Sequence, residues 1–286
     1  MKIRLLIFSL VVILFSCQKD KAPDTAPVPV AEKTELNVAY GTDGAQKMDI
    51  YLPTIRSTTT TKIIILIHGG GWSSGDKADF TAYVDTLKRR LPGYAVFNIN
   101  YRLAAGTSNL FPTQENDVNA AINFIYNKRN EYLISDKFVL LGTSAGGHLS
   151  LLQAYKYMTP VKIKAVVDFY GPTDLVDMYN NPASIFATPA ALAAVVGATP
   201  TTNLTLYQQS SPINFATAQC PPTIILQGGV DILVSPSQSV TLNNKLQTFG
   251  VTHQYVFYPT ENHGWVGSNL TDSFDKITAF LNANVN

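Results

Sequence analysis

The sequence predicts an α/β layer fold, with a mostly parallel central sheet and helices on both faces. Three observations predict it. Strand-like and helix-like stretches alternate along the chain, the pattern of strands joined by helical crossovers. The run Ile63 to Ile67 is unbroken aliphatic, as a strand covered on both faces requires. Of 286 residues, 46% are hydrophobic and only 14% charged, which supplies side chains for a large core.

Lys2 and Arg4 precede an apolar run from Leu5 to Phe15. That run is short for a membrane-spanning helix of about 20 residues and suits the core of an export signal. Ordinary cleavage wants small residues at an A-x-A-like site, where Leu14 is large. Leu14-Phe15-Ser16-Cys17 instead resembles a bacterial lipobox. Residues 1–16 are therefore expected to be a lipoprotein-type signal and Cys17 the lipidated residue of an exported, membrane-anchored protein. Residues 17–33, with Pro23, Pro27 and Pro29, read as an extended tether. Residues 34–286 read as one domain.

Within that domain Thr34 to Tyr40 and Lys47 to Leu52 read as two strands joined by a turn at Gly41 and Gly44. Ile63 to Ile67 is the buried strand, and Ala78 to Leu91 a helix ended by Pro92-Gly93. Ala95 to Ile99 is a strand; Pro112 to Arg129 is a helix with Val118, Ile122 and Ile125 on one side. Phe138 to Leu141 is a strand leading into a helix over Ala145 to Met158. Further strands are read at Ile163 to Phe169, Thr223 to Leu226 and Gln254 to Tyr258, and helices at Val240 to Phe249 and Asp272 to Leu281. The stretch 175–218 carries no clear period, and an insertion of that length is more often a functional lid than idle.

The formal net charge is +1, with no cluster of Lys and Arg, so a phosphate-neutralising nucleic-acid surface is excluded. The two cysteines are Cys17 and Cys220. With Cys17 lipidated no disulfide is expected, and Cys220 reads as a small buried residue. No His/Cys/Asp/Glu spacing resembles a metal site, and no cofactor is expected.

Gly142-Thr143-Ser144-Ala145-Gly146 places a serine between a strand and a helix, the context of a nucleophile elbow. The glycines relieve collisions in so sharp a turn. After the Ile63 to Ile67 strand comes His68-Gly69-Gly70-Gly71-Trp72, whose backbone N–H groups can approach an oxyanion. Gly70, Gly71 and Ala145 are the expected donors of the oxyanion hole. A serine needs a base. Of the four histidines, His68 belongs to the glycine loop, His148 lies within a helix as a packing residue, and His253 precedes a strand as a solvated residue. His263, between the last strand and the last helix, is the expected base. Asp231, following the Thr223 to Leu226 strand, is the expected acid. Asp174 reads as a turn cap and Glu261 as too close to His263 in sequence to reach its ring. Asp76 reads as a helix N-cap, and Arg102 with Asp117 as a bracing pair.

Together these residues resemble the α/β-hydrolase esterases, in the hormone-sensitive-lipase-like and feruloyl- and acetyl-esterase-like branch. The resemblance is carried by His68 to Trp72 with Gly75-Asp76-Lys77, Tyr101-Arg102-Leu103, Phe111-Pro112 with Asp117-Val118, Gly142 to Leu149, Gly228 with Asp231 and Val234, and His263-Gly264-Trp265. It spans nearly the whole domain in family order. Gln227 stands where relatives often have histidine, and Ala105 where they often have proline; neither is expected to touch the chemistry. The resemblance implies a serine carboxylesterase cleaving short-acyl or feruloyl-type esters, with a polysaccharide-linked ester as one expected substrate and Trp72 and Trp265 lining the pocket. Two alternatives stand beside it: an amidase, peptidase or formamidase using the same triad, and a non-catalytic glycan-binding protein on the same scaffold.

Overall fold

The structure, a computed structural model, describes residues 28–286. The signal segment, Cys17 and the tether up to residue 27 lie outside the described residues. Eight strands form one sheet: β1 (Lys33–Ala39), β2 (Lys47–Leu52), β3 (Lys62–Ile67), β4 (Tyr94–Ile99), β5 (Phe138–Thr143), β6 (Ala165–Phe169), β7 (Thr223–Gly228) and β8 (His253–Tyr258). Their spatial order is β8-β7-β6-β5-β3-β4-β2-β1. The pairs β1/β2 and β2/β4 are antiparallel and every other pair is parallel.

The central strands are apolar on both faces because both faces are covered. Ile63 to Ile67 are fully buried, as are Phe138 to Leu141. Helices α1 (Thr81–Arg90) and α9 (Gly267–Asn284) cover one face, where Val84, Leu87, Phe274 and Ile277 pack on Ile64, Leu66, Val139 and Leu141. Helices α2 (Thr113–Asn127), α4 (Ala145–Lys156) and α8 (Pro236–Thr248) cover the other, with Val118, Ile122, Leu151 and Leu242 against Ile63, Ile65 and Leu140. Between α2 and α4 lies a single turn, α3 (Arg129–Tyr132), ended by Leu133 in the left-handed region. The helix expected over Pro112 to Arg129 is found as α2, and the one expected from Ala78 begins as a 3-10 turn over Lys77–Phe80. Asp76 caps that turn reciprocally with Asp79.

The stretch without a visible period folds as α5 (Leu175–Asn180), α6 (Pro189–Val196), α7 (Leu204–Gln209) and a 3-10 turn over Pro212–Phe215. Each of the three helices begins at a side-chain cap: Asp174, Thr188 and Asn203 accept hydrogen bonds from backbone N–H groups of the first turn. The helices are too short to display a 3.6-residue repeat, and their caps were the only sequence signal. The tether reading is corrected at its end. Val28–Pro29 pairs with Ile55–Arg56, the Val30 N–H donates to the Thr54 carbonyl at 2.8 Å, and Arg56 Nη1 donates to the Ala31 carbonyl at 3.0 Å. Composition announces neither the backbone pairing nor the Arg56 side-chain contact.

Register sets where the site falls. Ile67 lies beside Gly142, and Gly142 beside Asp168. The glycine loop, Ser144 and Tyr170 therefore leave three adjacent strands at one edge. The loops after β7 and β8 reach the same edge, since Gly228 lies beside Tyr258. Crevices at the carboxyl ends of parallel strands are where open α/β sheets bind ligands.

Candidate active site

Ser144 stands at φ 52°, ψ −120°, a left-handed conformation that strains a residue with a Cβ. Its surroundings impose it. The Ser144 N–H donates to the Phe169 carbonyl at 2.8 Å, and the His148 N–H donates to the Ser144 carbonyl at 2.9 Å. The flanking glycines are required by space. A Cβ on Gly146 would sit 1.8 Å from the Ile67 carbonyl oxygen, and one on Gly142 2.1 Å from the Gly146 carbonyl oxygen. The turn thus holds the hydroxyl above the sheet edge.

The structure brings together the three residues expected to act as nucleophile, base and acid. Ser144 Oγ lies 2.8 Å from His263 Nε2, and His263 Nδ1 lies 2.8 Å from Asp231 Oδ2. Gly264, at φ 106°, turns the chain sharply after His263. Asp231 is held by more than the imidazole. Its Oδ1 accepts from the Leu233 and Val234 N–H groups, both at 2.9 Å, and its Oδ2 accepts from Gln227 Nε2 at 3.2 Å. Four donors thus surround the buried carboxylate and fix its orientation toward the imidazole. Gln227 was expected to stand apart from the chemistry and does not. Its Nε2 shares the carboxylate oxygen with His263, and its Oε1 accepts from Ser239 Oγ at 2.8 Å.

Gly70 and Gly71 both take positive φ, 100° and 56°. They line one small depression together with Gly69, Ser144, Tyr170 and His263. A Cβ on Gly70 would meet the Ser74 carbonyl oxygen at 2.2 Å, so only glycine fits. Ala145 follows the serine as the buried first residue of α4. Gly70 and Gly71 thus border the space beside Ser144, and Ala145 directly follows it in the chain.

The other histidines have structural partners. His68 is buried, its Nδ1–H donating to the Gly69 carbonyl at 2.7 Å while its ring stacks on Tyr101 at 4.3 Å. His148 is fully buried between Trp72 Nε1, 3.2 Å from its Nδ1, and the Ser210 carbonyl, 2.7 Å from its Nε2. The carbonyl fixes the proton on Nε2 and the indole N–H needs an acceptor on Nδ1, so the ring is neutral. Burial pushes its pKa down to about 4. His253 is not a solvated residue before a strand but the half-buried first residue of β8, its Nδ1–H donating to the Val251 carbonyl. Asp174 caps α5 and Arg102 grips Asp117, as their placement suggested. Glu261 accepts from Asn269 and does not approach the His263 ring through any hydrogen bond.

Beside Ser144 lies a cavity of about 210 Å³, walled by Gly71, Trp72, Met178, Ala191, Leu192 and Val195. Trp72 lines it while its N–H anchors on His148. Trp265 does not line it, which corrects the sequence expectation. The turn at Gly264 sends its ring away from His263, onto Phe169, Tyr170 and Tyr258, with Nε1 donating to Ser273 Oγ at 2.9 Å. Sequence reasoning missed Tyr170, whose ring packs on His263 at 4.6 Å, and the α5–α6 side chains that form the cavity wall. Tyr170 directly follows a strand, at the edge where sites form, and that position was its one signal.

Behind the elbow, Asp168 is completely buried; its Oδ1 accepts from the Gly171 N–H at 3.0 Å and its Oδ2 has no hydrogen-bond partner. Burial raises its pKa to about 8. Among the described residues, no group of three or more His, Cys, Asp or Glu side chains is arranged to hold a metal ion.

A serine–imidazole–carboxylate relay on this sheet defines an α/β hydrolase. Within that class the chain belongs to the BD-FAE family, whose model matches residues 48–246. It is similar to esterase LipC of Mycobacterium tuberculosis, 25% identical over 261 residues that cover 86% of this chain and 64% of that protein. It is also similar to the probable carboxylic ester hydrolase LipM of the same organism, 29% identical over 235 residues, covering 78% of this chain and 53% of that protein. The chain thus spans between half and two thirds of these curated relatives. Among solved structures it resembles a truncated carbohydrate esterase from gut microbiota, with a TM-score of 0.74 and 27% identity over 91% of this chain and 99% of the other. It likewise resembles a bifunctional GH43-CE protein of Bacteroides eggerthii, with a TM-score of 0.75 and 25% identity over 87% of this chain and 35% of the other.

Proposed function

We propose that the protein is a serine carboxylic-ester hydrolase that removes short-acyl or feruloyl-type groups from carbohydrate esters. The observation that carries this is the unbroken line from Ser144 Oγ through His263 to Asp231, each contact 2.8 Å, facing the glycine loop. His263 Nε2 takes the Ser144 proton as Oγ attacks the ester carbonyl, while Asp231 balances the imidazolium. The oxyanion meets the amides of Gly70, Gly71 and Ala145, each worth about 2.7–4 kcal/mol in the transition state. His263 then returns the proton to the departing alcohol oxygen, and water resolves the acyl-enzyme by the same route.

The apolar cavity supports an uncharged acyl group. Membership of the BD-FAE family, bifunctional feruloyl and acetyl esterases, and the likeness to a carbohydrate esterase support the substrate class. The experiment is a comparison of wild type with Ser144→Ala on acetyl and feruloyl esters. We expect kcat/KM to fall by up to about 10⁶-fold, since a relay fails as a unit. A binding protein on this scaffold would lose nothing. Faster cleavage of aminoacyl anilides than of the matching esters would favour a peptidase.

A further inference from the structure

The basic side chains form no run along the sequence, yet the fold gathers them at one end. Strands β3, β5 and β6 all begin at the end of the sheet opposite Ser144. Lys62 opens β3, Lys137 immediately precedes β5 and Lys164 immediately precedes β6. The Lys137 carbonyl accepts from the Ile63 N–H at 2.9 Å, and the Phe138 carbonyl accepts from the Lys164 N–H at 2.7 Å. The three lysines therefore enter the sheet side by side. Lys162, Arg89 in the last turn of α1 and Arg129 at the start of α3 border the same end.

Among the described residues none of these six has a carboxylate within ion-pairing distance. Lys33, Lys88, Arg90 and Lys128 are instead paired, with Glu35, Glu32, Asp275 and Glu131. Asp136 beside Lys137, and Asp85 one turn above Arg89, are the unpaired carboxylates between them. The Ser144 end is the reverse: Lys77 and Arg102 are bound to Asp49 and Asp117, while Asp76, Asp79, Asp174 and Asp177 have no ion pair. Of 21 Lys and Arg and 20 Asp and Glu, four and two precede Val28, so residues 28–286 hold 17 against 18. The domain is polarised without being basic.

Helix dipoles account for part of this, since Lys88-Arg89-Arg90 ends α1 where cations are favoured. Strands carry little net dipole, and Lys62, Lys137 and Lys164 stand where strands begin. Burial and the Lys137 charge both lower the Lys62 pKa, so these two ammonium groups are held close against their repulsion. An anion shared between them relieves it.

We propose that this end of the molecule docks on a membrane surface of anionic lipid headgroups. The chain itself leads there. Val28–Pro29 is fixed at the same end through Ile55–Arg56, and Lys33 pairs with Leu52. Ten residues separate Cys17 from Val28, a span of at most about 40 Å. Attraction to the surface acts within a Debye length of about 8 Å, an approach that this tether permits. Each Lys or Arg brought to such a surface raises partitioning about fivefold.

The test is a lipid titration of the full chain carrying Cys17→Ser, which removes any acyl anchor. Vesicles of phosphatidylcholine alone are compared with vesicles holding about one third phosphatidylglycerol. The charged vesicles are expected to bind the protein about a hundredfold more tightly at low salt, a gain that shrinks as salt rises. Lys137→Gln, Lys162→Gln and Lys164→Gln together are expected to cut the gain about tenfold or more. Arg89→Gln with Arg129→Gln is expected to cut it about fivefold or more, and Lys47→Gln, at the Ser144 end, to leave it unchanged. These variants separate the face from the charges of Lys2, Arg4, Lys19 and Lys21, and an unchanged thermal midpoint marks each as folded. Equal binding to both vesicles, or a gain unmoved in both variants of the face, overturns the docking surface. So does a loss in Lys47→Gln as large as in the triple variant. Salt-sensitive binding to a DNA duplex, with no gain on phosphatidylglycerol, overturns it in favour of nucleic acid.

Discussion

At the scale of single residues, three buried groups make predictions that the reacting trio does not. Gln227 is one of four donors to Asp231, and hydrogen bonds to charged groups contribute about 1.5–3 kcal/mol. Gln227→Leu is expected to lower kcat/KM on p-nitrophenyl acetate about tenfold, and Gln227→His, which can donate to the same oxygen, to lower it less. Equal activity in wild type and Gln227→Leu would show that the Leu233 and Val234 amides hold the carboxylate unaided. Asp168 and His148 each make stability depend on pH. Asp168, raised from 3.8 to about 8, binds its proton in the fold where the unfolded chain has lost it. Its contribution is full below pH 3.8 and declines as pH rises to 8. His148, lowered from 6.5 to about 4, does the reverse: its contribution is full above 6.5 and falls away as pH drops toward 4. The two slopes oppose each other between 4 and 6.5, and above 6.5, where the buried histidines are neutral in either state, Asp168 contributes a decline up to pH 8. Urea titrations of Asp168→Asn across that interval are expected to show the decline abolished; a slope like that of wild type would assign it to another group.

At the scale of elements, legibility followed length and burial. The central strands were readable because a strand covered on both faces must be aliphatic throughout, as Ile63 to Ile67 is. The elbow was readable because only glycine fits where a Cβ would strike the Ile67 carbonyl. Ser144, Asp231 and His263 could be placed because each follows a strand that ends at the same edge. Two kinds of feature escaped. Helices α5 to α7 are six to eight residues long, so their caps speak where their periods cannot. The direction of a side chain after a turn is not written in its neighbours: His263 and Trp265 are two residues apart, yet one faces Ser144 and the other the core. The α6 helix should govern acyl size. Leu192→Trp, which adds bulk to the cavity, is expected to lower kcat/KM on feruloyl esters about tenfold or more relative to acetyl esters, the scale on which apolar pockets discriminate by size. Equal losses on both would place the acyl group elsewhere.

At the scale of the whole molecule, the parallel strands converge on one edge, and everything reactive is there. Export and lipidation at Cys17 remain a proposal that the lipobox-like Leu14-Phe15-Ser16-Cys17 supports. Expressed with its signal in a bacterial host, the chain is expected to enter the detergent phase of a Triton X-114 partition, and Cys17→Ser to move it to the aqueous phase. Both proteins in the aqueous phase would exclude an acyl anchor.

The small ribbon of Val28–Pro29 on Ile55–Arg56 gives that arrangement a polarity. Leu52 at the end of β2 pairs with Lys33 and lies toward the beginning of β4, so the ribbon is stitched to the end of the sheet opposite Ser144. An acyl anchor on Cys17, as proposed, would be joined to the sheet through Val28 at the pole opposite Ser144, and the opening at Ser144 would then face away from the membrane.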